Sequence, residues 1–177
     1  PAMTANDVLG SDFLSRINMA LREEKHWSYG AGGYLQRYEH AVPYIIQAPV
    51  QADRTGDSIA AVRQDIHAFL TTDGITPEEF SRTIAGNIRE LAGGFETSDS
   101  VLSAMQQNDL LHRPDDYYDS IAEKFRGFTR EQLDAAARAA LDPDNFVWVV
   151  VGDAATVRPQ LDSLGLPVEV VAAPSAQ

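Results

Sequence analysis

Four histidines, His26, His40, His67 and His112, are the side chains here most suited to a transition metal, and their spacing decides whether they could share one. They stand 14, 27 and 45 residues apart, so none pairs with another at helical ligand spacing. Neither H-E-x-x-H nor its inversion H-x-x-E-H occurs, and Glu39-His40 lies on a predicted strand, where neighbours face opposite sides. The histidines therefore read as surface or half-buried side chains, and no metal site is expected in this chain. Nucleophilic chemistry fares no better. There is no G-x-S-x-G elbow, and zero cysteines remove thiol nucleophiles, Cys-ligated zinc and disulfides together. Gly30-Ala31-Gly32-Gly33 precedes a strand rather than a helix, the wrong context for a phosphate loop, so the glycines read as allowing close backbone approach or a kink. Asp115, Asp116, Tyr117 and Tyr118 read as a helix start with packing or snorkelling tyrosines.

Composition narrows the partners. The 177 residues carry 14 Lys plus Arg against 26 Asp plus Glu, a formal charge of −12 and a pI near 4.6. Such a surface repels phosphate, so neither nucleic acid nor an anionic membrane is an expected partner, and the charge reads as a solubility term. The longest apolar run, 146–151, is far short of the roughly 20 residues that span a bilayer. Pro1-Ala2-Met3-Thr4 has neither a basic nor an apolar region of a signal peptide. Composition leaves the compartment, periplasm or cytoplasm, unknown. A single domain over 1–177 is expected, since a chain of this size buries about 70% of its unfolded surface without staples.

The elements that would position any site follow from periodicity. Phe13, Leu14, Ile17, Ala20 and Leu21 predict a helix over 11–26 with Ser11 or Asp12 as N-cap, and Gly10 is expected to break it from a preceding helix. Residues 29–40 and 44–52 predict a strand pair around the Val42-Pro43 corner. Ile59, Val62, Ile66, Phe69 and Leu70 form one stripe of a helix over 57–72. Thr76-Pro77-Glu78-Glu79 is a capping box opening a helix that ends at Gly93-Gly94. Helices over 98–111, 116–125 and 129–141 follow, the last opened by Thr129 with Gln132. The run 146–151 predicts a buried strand with Phe146, Trp148 and Val150, or their alternating neighbours, in the core. A short helix over 156–164, a strand over 167–171 and a disordered tail over 172–177 close the chain. Strands at both ends and helices in the middle predict an α+β fold, an antiparallel-dominated sheet with helices on one face.

Composition and periodicity stop at an acidic α+β domain; the stretch 9–31 goes further. Leu9-Gly10, Ser15-Arg16-Ile17-Asn18, Leu21-Arg22-Glu23 and Tyr29-Gly30 occur in the order and spacing of a signature, and Val-Val-Val-Gly-Asp stands at 149–153. In these features the chain resembles the pitrilysin/insulinase family of zinc metallopeptidases, in particular the C-terminal, non-zinc domain of its bacterial processing-peptidase-like branch, over about residues 8–171. The resemblance implies a mitochondrial processing peptidase-like fold, and a zinc site in a partner domain or subunit with no cofactor in this chain. It also implies an Arg and a Tyr supplied to a shared chamber, at Arg22 and Tyr29, seven residues apart. An Arg fork suits a peptide carbonyl, and a Tyr hydroxyl can hydrogen-bond a developing oxyanion. Read without the flanking matches, Arg22 would pair with Glu23, Glu24 or a helix C-terminus, and Tyr29 would cap the core.

The chain is thus expected to be the substrate-binding, chamber-forming half of a zinc endopeptidase, inactive alone, with peptides and a zinc-bearing domain as partners. The alternative is an inactive assembly or dimerisation subunit of the same fold. Two departures from the family pattern carry expectations. Lys25-His26-Trp27 stands where the family commonly has a glycine, which bears on the turn before Tyr29. Only eight residues precede Leu9, where the family has strands and a helix. A truncated domain with an exposed sheet edge, prone to self-association as a homodimer, is expected from this.

Overall fold

A computed structural model describes residues 1–172. The tail expected over 172–177 lies, from position 173 on, outside the described residues. No helix among the described residues is long and apolar enough to cross a membrane.

Helix α1 (Ala2–Asn6) runs on without a break into a widened π-turn at Asp7–Ser11. It buries Ala5, Val8 and Leu9. The expectation that Gly10 separates two helices is corrected here: Gly10 lies buried inside this first helical segment. Its missing side chain serves packing, since a Cβ there would stand 2.8 Å from the Gly33 amide nitrogen. A second helix, α2 (Arg16–Asn18), has Ser15 rather than Ser11 or Asp12 at its N-cap position, with no side-chain capping bond, and widens into a π-turn at Met19–Glu24. The predicted N-terminal boundary was early because 7–11 belong to the preceding helix.

The strand pair is present but short: β1 (Gly32–Leu35) runs antiparallel to β2 (Tyr44–Gln47), with Gly32 opposite Gln47 and Leu35 opposite Tyr44. The glycines of β1 allow the close approach expected of them. A Cβ on Gly32 would meet the Gly10 carbonyl oxygen at 2.9 Å, and one on Gly33 would overlap the Tyr44 hydroxyl. Asn6 Nδ2 ties the two elements by donating to the Gly33 carbonyl at 2.7 Å.

Five longer helical pieces and a short one then build the body: α3 (Thr55–Thr71), α4 (Pro77–Gly93), α5 (Ser98–Leu110), α6 (Ile121–Arg126), α7 (Arg130–Ala140) and α8 (Ala154–Asp162). The apolar stripe of α3 is buried as its period requires, and it meets Leu9, Ile17, Leu21, Leu133 and Ala137 in the core. Both predicted capping boxes form, Thr76 with Glu79 and Thr129 with Gln132. Residues 116–120, predicted helical, are a series of tight turns instead, with Tyr117 N–H donating to Pro114 and Asp119 N–H to Asp116.

The sheet is where the prediction is corrected most. Residues 146–151 and 167–171 carry no regular secondary structure, and neither pairs into a strand among the described residues. Among the described residues no backbone–backbone hydrogen bond involves 146–151. The side-chain alternation survives: Phe146 and Trp148 pack against the core while Val147, Val149 and Val151 are exposed. A run apolar on both faces is chemistry suited to the interior of a sheet, and the two-stranded sheet described here offers it no neighbour. The fold is nevertheless α+β, with an antiparallel sheet and a helical body.

Candidate functional site

Three short segments make the site: the turn after α1, the widened end of α2, and the loop leading into β1. Asn18 joins them. Its buried side chain donates from Nδ2 to the Phe13 carbonyl at 2.6 Å and accepts at Oδ1 from the Ala31 amide at 3.0 Å. Around it lies an open depression floored by glycines 10, 30, 32 and 33 and walled by Phe13, Arg22, Gln47 and Pro49.

Arg22 enters this depression from the π-turn of α2. Its guanidinium carbon stands 4.6 Å from the centroid of the Phe13 ring, and Nε lies 3.3 Å from Glu23 Oε1. The pairing with Glu23 is what a reading from local charges alone expects. It is half-exposed, so it holds the side chain only weakly.

Tyr29 does not line the depression; its neighbour Gly30 does. Its backbone is tied down on both sides. Ser28 bridges to Val50, its hydroxyl donates to the Pro49 carbonyl at 2.7 Å, and the Gly30 amide donates back to the same hydroxyl at 3.1 Å. The Tyr29 side chain is 99% exposed. It therefore does not cap the core, and among the described residues the contacts of Arg22 run to Phe13 and Glu23 rather than to Tyr29.

Between the two residues, His26 takes φ +56°, one of two non-glycine residues in the left-handed region among the described residues. This is the stretch where a glycine would be unstrained, and the chain holds the turn by other means. His26 Nδ1–H donates to the Arg22 carbonyl at 3.0 Å, and the His26 carbonyl accepts from Gln51 Nε2 at 3.2 Å. The Leu21 carbonyl accepts from both Trp27 and Ser28, closing the helix end. His26→Gly should relieve the backbone at the expense of the ring's hydrogen bond, a net gain of about 0.5–1 kcal/mol in urea unfolding. An unchanged or lower midpoint would mean that the imidazole bond outweighs the strain.

Sequence reasoning missed Phe13 and Asn18 as parts of this place. Phe13 was read as a core position of a helix, and only its environment shows otherwise: the ring is 61% exposed. Among the described residues, no three His, Asp or Glu side chains gather as a metal-ligand set.

A family model described as the peptidase M16 inactive domain matches residues 1–87, which include every residue of this site. A zinc protease of Bacillus subtilis (strain 168), YmxG, is 26% identical over 139 residues, covering 78% of this chain and 34% of that protein. The chain thus spans about a third of the length of that relative. A peptidase M16 inactive domain from Pseudomonas fluorescens has the same fold at a TM-score of 0.71, with 22% identity over 81% of this chain and 34% of the other. A protease from Helicobacter pylori superposes at 0.59, with 13% identity over 77% of this chain and 32% of its own. Residues 1–87 are thus similar to the peptidase M16 inactive domain, and over most of its length the chain shares the fold of a solved domain of that description.

Proposed function

We propose that this chain is the substrate-clamping, chamber-forming half of a zinc-dependent endopeptidase, acting opposite a metal site that another domain or subunit carries. The observation that carries the reading is Tyr29. A wholly exposed tyrosine contributes little to the core, while the backbone on either side of it is tied down beside the depression that Arg22 enters, leaving its hydroxyl free for a partner. Arg22 offers a fork of donors to a peptide carbonyl, and Tyr29 offers one donor to the oxyanion that forms when that carbonyl is attacked. Metal chemistry would be supplied by the partner; this chain would bind and orient the peptide.

The test is made on untagged protein, with metal analysis and with a quenched fluorescent oligopeptide as substrate. The chain alone should hold no stoichiometric zinc and cleave nothing, and cleavage should appear when the zinc-bearing domain is added. One equivalent of tightly held zinc, or cleavage by the chain alone, would overturn the assignment.

A second reading, an assembly or dimerisation subunit, has its own observation. Val147, Val149 and Val151 are exposed on a segment that makes no backbone–backbone hydrogen bond among the described residues, which leaves its groups available for pairing with another chain. Sedimentation at high concentration separates the readings, together with the activity of Arg22 and Tyr29 variants. A dimer whose partnered enzyme tolerates both substitutions would support the subunit reading.

A further inference from the structure

We infer that Phe13 is a positioning residue for the peptide clamp, holding the Arg22 guanidinium over the glycine floor by its aromatic face; the inference rests on the clamp reading proposed above. Three observations point the same way. First, Phe13 is 61% exposed, so its ring is free of the core and available to contacts at the surface. Second, what it contacts is Arg22, with the guanidinium carbon 4.6 Å from the ring centroid, inside the range of a cation–π contact. Third, the ring's backbone is fixed: the Phe13 carbonyl accepts from Asn18, and the same Asn18 side chain accepts from Ala31, which lies between glycines 30 and 32 of the floor. One buried side chain therefore sets the distance between the ring and the glycine floor.

The stack answers a need that the ion pair with Glu23 does not meet. A guanidinium held only by a half-exposed neighbouring carboxylate would be drawn along its own helix end, and its five donors would be only loosely directed. An aromatic face takes one side of the guanidinium plane and leaves the N–H edges free. In that arrangement the donors point outward, available to a peptide carbonyl lying along Gly30 to Gly33. Because Phe13 acts on the bound ground state as much as on the transition state, its effect belongs in KM.

The experiment compares Phe13→Leu, Phe13→Trp and Arg22→Ala, with the double variant Phe13→Leu/Arg22→Ala, in the enzyme assembled with its zinc-bearing domain. The substrate is a quenched fluorescent oligopeptide. Loss of one exposed cation–π contact should raise KM about two- to fivefold in Phe13→Leu with kcat held, and Phe13→Trp should restore it. Thermal midpoints should not move. In the Arg22→Ala background Phe13→Leu should add nothing. On the chain alone, the Arg22 side-chain protons should show upfield ring-current shifts that vanish in Phe13→Leu and return in Phe13→Trp. If Arg22→Ala raises KM while Phe13→Leu does not, Phe13 is no positioning residue although the clamp stands. If Phe13→Leu costs the same with and without Arg22, the ring acts on the peptide directly and the inference fails. If Arg22→Ala is silent, the clamp and the inference fall together.

Discussion

In the assembled enzyme, Tyr29→Phe is expected to lower kcat about 10²-fold, equivalent to about 2.7 kcal/mol, with little change in KM. The substitution removes one hydroxyl and leaves the ring. A donor that meets charge only as the carbonyl is attacked contributes to the transition state and not to the bound substrate, so the loss falls on kcat. The fold should be indifferent, because the side chain is exposed and the loop is held by Ser28 and its partners at Pro49 and Val50, none of which is altered. Arg22→Ala separates from it in kind. A guanidinium that holds the peptide backbone before and during reaction should raise KM as well as lower kcat. Its pairing with Glu23 is half-exposed, so its removal should leave the thermal midpoint nearly unchanged. Turnover and thermal midpoint measured on the same preparations decide the matter. Two variants with full activity would sink the clamp and leave the assembly-subunit reading standing.

The difference between what periodicity revealed and what it hid has a physical pattern. Helices whose apolar stripe faces a single core were legible to within a residue or two at most ends, as in α3, and the two capping boxes marked the starts of α4 and α7 because both partners of each box are local. Features that depend on distant chain were not legible. Gly10 resembled a helix breaker, yet its lack of a side chain answers to Gly33 across the fold. The 146–151 run has the composition of a buried strand, but a strand is a relation between two backbones, and composition cannot state whether the second is there. The site shows the same division. Arg22 and Tyr29 are candidates because a local signature resembles a family's, whereas Phe13 and Asn18 make contacts that cross from one turn to another.

That signature also contains Arg16, whose part is structural, and Arg16→Ala should be among the most destabilising single changes outside the apolar core. Its guanidinium donates from Nε and Nη2 to the two oxygens of Glu79 at 2.8 and 2.7 Å, and from Nη2 to the Gly74 carbonyl at 2.9 Å. Nη1 donates to the Asp73 carbonyl, and the plane lies 5.0 Å from the Phe69 ring centroid. Glu79 in turn accepts from the Thr76 amide, so one arginine anchors α2 to both the capping box of α4 and the turn before it. Truncation leaves a half-buried carboxylate and two carbonyls without their donor, a loss of about 2–3 kcal/mol. For a chain of this size that is a fall of roughly 5–10 °C in Tm. Lysine should recover little, since a point charge cannot serve two oxygens and two carbonyls at once. The pH dependence supplies a second readout. Burial is the largest single influence on the Glu79 carboxyl and raises it, but the hydrogen bonds from Arg16 and Thr76 and the Arg16 charge together outweigh burial, and the net displacement is below the ordinary value of 4.5. As pH falls past 4.5 the unfolded chain takes up a proton that folded Glu79 still refuses. The stability it contributes is therefore complete above that value and lost as pH falls through the lower, folded one. Urea unfolding at pH 7 should show the full gap between wild type and Arg16→Ala, and the gap should narrow at pH 3. A gap that stays constant across that interval would mean that the carbonyl contacts and the Phe69 face, rather than the ion pair, hold α2 in place.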